Sequence, residues 1–465
     1  MSMDRGDIVV DTIGFRIPCR SFYVRAHVTR DRPLPVVDEF VMRLLRVCGQ
    51  LTISRIGDFF GFSRAEIERV IEELLAKELV VAEQEELRLS QAAAELFRSS
   101  ADEQPRLVEV EAWTENIWLD LVGRTLVPRP RQRPFRNLID VQKDSDTERS
   151  PSDAARAAFE ANFRDYVART RRIPDPDKVS IHSIASLEPD RYGSAIVSAR
   201  KILIAETGKV RLDFDGLGDA PAQYRTLIQA LSSTYGQLDQ PRAITTGLNE
   251  FERLTGMSLR KHFRTDQIFD LSGWFAEKRT NPQEARGWIV GESYLDENIR
   301  RLLTEFETVA EPKGKANLKW LRPAGGIWGM TSDLGSALTL FRRALGLPDA
   351  PRSSGATLIA PRAAASALQK RFERLFEFGE IASTRVSSSL EIVLLGQRAA
   401  MVLLHVPIDR RETLPIGIVT SHSKVLARLA SYIGSDNLRM WHYVPRSGAA
   451  PEPTSTDGMM APTDP

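Results

Sequence analysis

Cysteine is nearly missing from this chain of 465 residues, which has two, Cys19 and Cys48. Two cysteines cannot build a disulfide framework or a cysteine-rich zinc site, and each stands beside apolar neighbours, which fits a reducing cytoplasm. Long hydrophobic runs are missing too. No stretch of about 18 apolar residues occurs, so no membrane span is expected. Residues 1–11 are charged and lack the apolar core of a signal peptide. An excess of one charge is also absent. The chain has 63 Lys and Arg against 62 Asp and Glu, a net +1, so any attraction to nucleic acid must come from local patches. No glycine-rich phosphate loop is found, because Gly325-Gly326 runs into Ile327-Trp328 without a lysine. Spacing assembles neither a Ser-His-Asp set nor a metal-binding histidine pair, and no cofactor or metal is expected. What remains is ordinary globular composition, 42% hydrophobic and 27% charged, with length enough for about two to four domains.

The most informative stretch is residues 35–97. Val36, Val37, Phe40, Val41, Leu44, Leu45 and Cys48 recur at helical spacing up to Gly49. Ile56, Phe59 and Phe60 mark a short second helix, and Gly61-Phe62-Ser63 a tight turn. Ser63 followed three residues on by Glu66 predicts a capping box for a third helix, which carries Ile67, Val70, Ile71, Leu74 and Leu75 on one face. Residues 80–82 and 87–89 alternate as a hairpin around an acidic turn, and Ser90 caps a fourth helix. This order resembles the winged helix-turn-helix of prokaryotic transcription factors. The resemblance implies duplex DNA as partner, with Arg64 and Arg69 at the amino end of the third helix meeting the duplex. The charge of that helix argues the other way. Between Ser63 and Leu79, Arg64, Arg69 and Lys77 face Glu66, Glu68, Glu72, Glu73 and Glu78, so protein contact or dimerisation is the competing expectation.

Residues 7–29 read as short strands broken at Pro18, with His27 a strand histidine. Residues 108–122 read as a helix whose stripe is Val110, Trp113, Ile117, Trp118 and Leu121. Residues 123–136 hold Arg124, Arg129, Arg131, Arg133 and Arg136, three prolines and no acid. The prolines favour an extended arm, and extended arginines can follow phosphates. The alternative is an arm packed on an acidic surface of its own protein. A linker at 140–153, a helix at 151–171 and four strands within 179–214 follow. Asp213, Asp215 and Asp219 fit no calcium-loop spacing and read as turn residues. Residues 221–279 read as helical, with Lys261-His262-Phe263-Arg264 a solvated basic face. From residue 286 strands alternate with helices, including one at 363–378, and three adjacent strands follow. This predicts an α/β layered domain. The tail from 446 lacks periodicity.

His422-Ser423-Lys424 and Gly434-Ser435-Asp436-Asn437 are similar to the motif of the phospholipase D superfamily, in which the histidine is nucleophile and the lysine holds the phosphate. The family's aspartate position is here Leu429, and no second copy occurs, so a full site would need a dimer. The resemblance implies either a nuclease acting through His422 and Lys424 or a catalytically inactive sensor domain. A helix over 422–433 with Ser421 as N-cap is the competing expectation. His405 is the other histidine able to join a site, though a core role is expected. The fold class is therefore multidomain α/β. Its expected parts are 1–104 (winged helix with strands), 105–150 (helix, arm and linker), 151–285 (mixed), 286–445 (phospholipase D-like) and 446–465 (tail). The expected function is nucleic-acid binding in a cytoplasmic bacterial regulatory or defence system. A homodimer or a protein from the same operon is a further possible partner.

Overall fold

The computed structural model describes residues 7–99, 106–127, 129–130, 137–143, 149–171, 179–204, 206–217, 224–238, 244–281, 287–309, 317–347, 355–362, 368–383, 386–434 and 436–442. These form two compact units. One takes its residues from 18–131 and 143–195, the other from 1–17, 132–142 and 196–465. The chain mixes helices with sheets throughout, and no helix among the described residues is long and apolar enough to cross a membrane.

In the first unit, the strand β1 (Asp7–Pro33) contributes its residues from 18 onward. It is one continuous strand where three short ones were expected, with Pro18 inside it. Next come α1 (Val36–Cys48), β2 (Gln50–Thr52), α2 (Ile53–Phe60), α3 (Arg64–Ala76), β3 (Val80–Glu83), β4 (Glu86–Leu89) and α4 (Gln91–Ser99). The elements expected over 35–97 are all present, and the caps explain why. Gly49 and Gly61 take left-handed φ of 79° and 72°, which end α1 and α2. Ser63 and Glu66 close a reciprocal capping box on α3, and Ala93 N–H donates to Ser90 Oγ (3.0 Å) at the start of α4. Val41, Met42, Leu45, Ile56, Ile67, Ile71, Leu74, Leu87 and Phe97 form one core. The buried Asp38 accepts from Lys77 Nζ at 2.9 Å, tying α1 to the end of α3.

Residues 108–122 are not a helix. Residues 108–120 belong to β5 (Arg106–Asp120) and 121–122 to the turn after it; β5 is antiparallel to β1 in a register that pairs Cys19 with Asp120 and Arg30 with Glu109. The stripe that suggested period 3.6 also contains a period of two, because Trp113 and Ile117 lie on one strand face with Leu119, while Val110 is exposed. Phe22, Val24, Ala26 and Val28 of β1 alternate into the same core, against Phe159 and Phe163 of α5 (Pro151–Arg171). Pairing with β1 and burial under α5 override the local spacing. The edges are β6 (Leu126–Val127) and the residues up to 195 of β8 (Val179–Ile204), which is one strand where three were expected. His27 is exposed, with Nδ1 3.3 Å from Ser183 Oγ.

The second unit includes β7 (Ile139–Asp140), the end of β8 and β9 (Lys209–Phe214). Its helices are α6 (Arg225–Gly236), α7 (Ile244–Thr255), α8 (Leu271–Thr280), α9 (Asp296–Glu307), α10 (Asp333–Ala344), α11 (Leu368–Phe372) and α12 (Ser423–Ile433). An eight-stranded mixed sheet is built from β10 (Trp288–Val290), β11 (Leu318–Leu321), β12 (Ala356–Ala360), β13 (Phe378–Ile381), β14 (Leu390–Leu395), β15 (Ala399–Pro407), β16 (Thr413–Thr420) and β17 (Leu438–His442). Its order is β10-β16-β15-β14-β11-β12-β13-β17, with β11, β12 and β13 parallel and the other pairs antiparallel. β14 is buried along its whole length and β15 as far as Val406, as central strands covered on both faces are. Ile392, Leu394, Val402, Leu404, Ile416 and Ile418 meet Phe251 of α7, Trp274 of α8 and Leu429 of α12. Gly417 is required there, since any Cβ would strike the backbone of Val402.

The helix expected over 363–378 is shorter. Residues 363–367 lie outside the described residues, α11 ends at Phe372, and Phe378 begins a strand. In the segment Lys261-His262-Phe263-Arg264 both bases are solvated as expected, but the segment is not a regular helix. Arg260–His262 is a single 3-10 turn, His262 is buried, Lys261 pairs with Glu277 (2.6 Å) and Arg264 with Asp270 (3.6 Å). Asp213 and Asp215 are ion-paired to Arg200 at 2.9 and 3.3 Å. Asp219 and the tail from 446 lie outside the described residues.

Candidate functional site

Two groups of residues carry chemistry, one in each unit. In the first unit, the core of the helical module turns α3 so that Arg64 and Arg69 face solvent, with side chains 91% and 83% exposed. Each is paired along the helix, Arg64 with Glu68 at 2.9 Å and Arg69 with Glu73 at 3.8 Å. In the hairpin beside them, Arg88 pairs with Glu83. All three are exposed pairs in high dielectric, easily exchanged for another anion. The bases lie in the amino half of α3, and Glu72 and Glu73 lie further along it.

Of the arginine arm, Arg124 and Arg129 are exposed, and Arg131, Arg133 and Arg136 lie outside the described residues. Arg124 sits in a turn organised by the buried Asp120. That carboxylate accepts from the backbone N–H of Val122 (2.9 Å), Gly123 and Thr125 (2.9 Å) and from Thr125 Oγ1 (2.5 Å). Arg124 itself holds a left-handed φ of 59°, uncommon for a residue with a Cβ.

His422 and Lys424 are both exposed at the amino end of α12. His422 is the N-cap residue and makes no side-chain cap hydrogen bond. Ser421, expected as the cap, instead donates from Oγ to Glu305 Oε2 at 2.9 Å, because the helix starts one residue later. Asn437 donates to Glu380 Oε2 (3.1 Å) and to Ile433 O (3.2 Å), and Ser435 lies outside the described residues.

The second group is buried. Asp11 on β1, Lys201 on β8, Glu292 just after β10, His405 on β15 and Thr413 on β16 line a pocket of roughly 320 Å³, open solvent at its mouth included. Pro323, Ala324, Gly325, Ile327 and Trp328 form the rest of its wall. Glu391 of β14 lies behind His405 and is diagonal to it across the strand pair, since Glu391 faces Leu403 in register. Glu391 Oε1 accepts from Trp320 Nε1 and Trp328 Nε1, each at 2.9 Å, and from Ser293 Oγ. Its Oε2 lies 3.1 Å from His405 Nε2. Burial alone would raise the Glu391 carboxyl, but these donors hold it below the usual range.

Its neighbours are shifted the opposite way. Burial, reinforced by Asp11 and Glu391, pushes Glu292 well above the usual carboxylate range. Asp11 is pushed up to about 7 by burial, against the pull of Lys201 and the hydrogen bond donated by Tyr294 Oη (2.7 Å). Lys201 reaches Glu412 Oε2 (2.7 Å) and Thr413 O (3.0 Å). Although burial disfavours its charge, Tyr235 and Glu412 push its ammonium above the ordinary lysine value. Asn298 of α9 donates to the carbonyls of Val290, Gly291 and Glu292, which fixes the loop that carries Glu292.

Of these residues the sequence singles out His405 alone. Glu391 stands inside an otherwise apolar strand, Leu390 to Leu395, and a lone carboxylate there is the one signal that could have drawn attention. Asp11, Lys201 and Glu292 carry none.

No family model matches the chain, and none of the curated proteins matches it. A solved structure of TrmBL2, an archaeal chromatin protein described with a novel mode of DNA binding, aligns over 86% of this chain and 91% of its own, at 6% identity with a TM-score of 0.20. At that score the likeness establishes neither fold nor function.

Proposed function

We propose that this protein binds duplex nucleic acid through residues 36–99, used as a winged helix, with the arginine arm as a second phosphate contact. One observation carries the reading. The amino half of α3, directly after the Gly61 turn, presents Arg64 and Arg69 to solvent while the opposite face of the helix is sealed in the module's core. In helix-turn-helix proteins that end of the helix meets the duplex. Backbone phosphates would replace Glu68 and Glu73 as partners of the guanidinium groups. The C-terminal α/β domain, residues 286–445, is the sensor or docking part of a prokaryotic regulatory or defence protein, similar to an inactive phospholipase D-like domain.

The test is fluorescence anisotropy of a random-sequence duplex at about 50 and about 200 mM salt. Wild-type affinity falls steeply with salt. The double variant Arg64→Ala/Arg69→Ala binds more weakly, with a slope shallower by roughly 1 for each phosphate no longer engaged. Absence of binding at the lower salt rules the reading out. A nuclease acting through His422 and Lys424 would instead degrade plasmid DNA and lose that activity in His422→Ala. A second reading is favoured by Val36, Phe40 and Val47 of α1, which recur on one helical face and are exposed. It makes the module a docking surface for another protein, and in that case the duplex titration stays flat.

A further inference from the structure

One carboxyl group in the pocket of the second unit is only partly satisfied by the described residues. Glu292 Oε2 is buried and has no hydrogen-bond partner among the described residues. It stands beside two more interior carboxylates, Asp11 and Glu391. The one lysine lining the pocket, Lys201, is already engaged by Glu412 and Thr413 O. Glu292 shares a side-chain hydrogen bond with Glu391, and interior carboxyl groups this close need a proton or a cation between them.

The histidine geometry favours a cation. A hydrogen bond from His405 Nε2–H to Glu391 Oε2 (3.1 Å) leaves the Nδ1 lone pair directed at Glu292 Oε1, 4.0 Å away. That gap is too long for a hydrogen bond. A tetrahedral cation about 2 Å from each atom would hold the pair roughly 3.3 Å apart, so binding draws the two side chains together by less than about 1 Å. Glu292, Glu391 and His405 offer ligand atoms that all lie within 4.8 Å of one another. The carboxylate behind the histidine is itself locked by two indoles and a serine, the arrangement that orients a metal-bound imidazole.

We propose that the second unit binds a first-row divalent transition cation, held by His405 Nδ1 and the Glu292 carboxylate and reached through the pocket beside Trp328, with Glu391 aligning the imidazole from behind. One imidazole nitrogen with carboxylate oxygens suits Zn²⁺ or Mn²⁺ better than Mg²⁺, which prefers an all-oxygen shell with retained water. The site is independent of the nucleic-acid reading, and either can fail without the other.

The test uses full-length protein stripped with EDTA, dialysed against ZnCl₂, MnCl₂ or MgCl₂, and followed by elemental mass spectrometry and thermal unfolding. Wild type takes up about one equivalent of Zn²⁺ or Mn²⁺, and its unfolding midpoint rises with metal concentration. Glu292→Gln preserves shape with a neutral group, so it folds about as stably as wild type does without metal. Its affinity for the cation falls by about 10-fold or more. His405→Gln shows the same loss. If wild type takes up no metal and its midpoint does not move, the proposal is wrong. It is equally wrong if Glu292→Gln binds as tightly as wild type, because the metal would then sit elsewhere.

Discussion

The helical module and the interior of the second unit both depend on charged side chains, but water makes those charges do different work. On α3, Arg64–Glu68 and Arg69–Glu73 are exposed, so the pairs hold little structure together and leave the cations free to change partner. Behind β14 and β15, Glu391 is fully enclosed and every donor aimed at it is itself buried. An exposed charge is available for recognition, whereas an interior charge is a structural commitment that fails if one partner is removed.

The largest expected effect is Glu391→Ala, which strands the Ser293, Trp320 and Trp328 donors and the His405 ring in the interior. Urea unfolding should show a loss of about 3–5 kcal/mol, where Arg64→Ala leaves the midpoint unchanged. Near-equal midpoints for the two variants would remove the distinction. Next is Ser63→Ala, which deletes the hydroxyl of the capping box and should cost about 1 kcal/mol by the same assay. The smallest is a pH effect at His262, which lies between the two extremes. Burial, opposed by Glu277, holds its pKa below the ordinary 6.5. As the pH falls the unfolded chain takes up a proton first, so the stability tied to the neutral ring is present above 6.5 and lost through the lowered folded value. The unfolding midpoint should decline as the pH falls below about 6.5, and His262→Gln should flatten that decline.

What is legible in the sequence follows from how locally each feature is encoded. The module can be read from residues 35–97 because its determinants are neighbours: Gly49 and Gly61 as stops, Ser63 with Glu66 as a start, Ser90 as another. The strand β5 misleads because its partner, β1, lies about ninety residues away in the chain, and only that pairing selects period two over period 3.6. The pocket is the least visible. Its walls come from Asp11, Lys201, Glu292, His405 and Thr413, which no local pattern connects, and Glu391 becomes meaningful only when the sheet puts it beside His405. His422 and Lys424 show the converse. Their spacing in sequence is conspicuous, yet the residues stand in solvent at a helix start.

One carboxylate described above gives the protein an optical handle. Trp320 and Trp328, two of its seven tryptophans, share a single acceptor oxygen on Glu391. Indole emission responds to charge placed near the ring, so any occupant that redistributes electron density on that carboxylate changes the protein's own fluorescence. Filling of the cavity could then be followed without a label, and the event is separable from whatever happens at the arginines of the other unit.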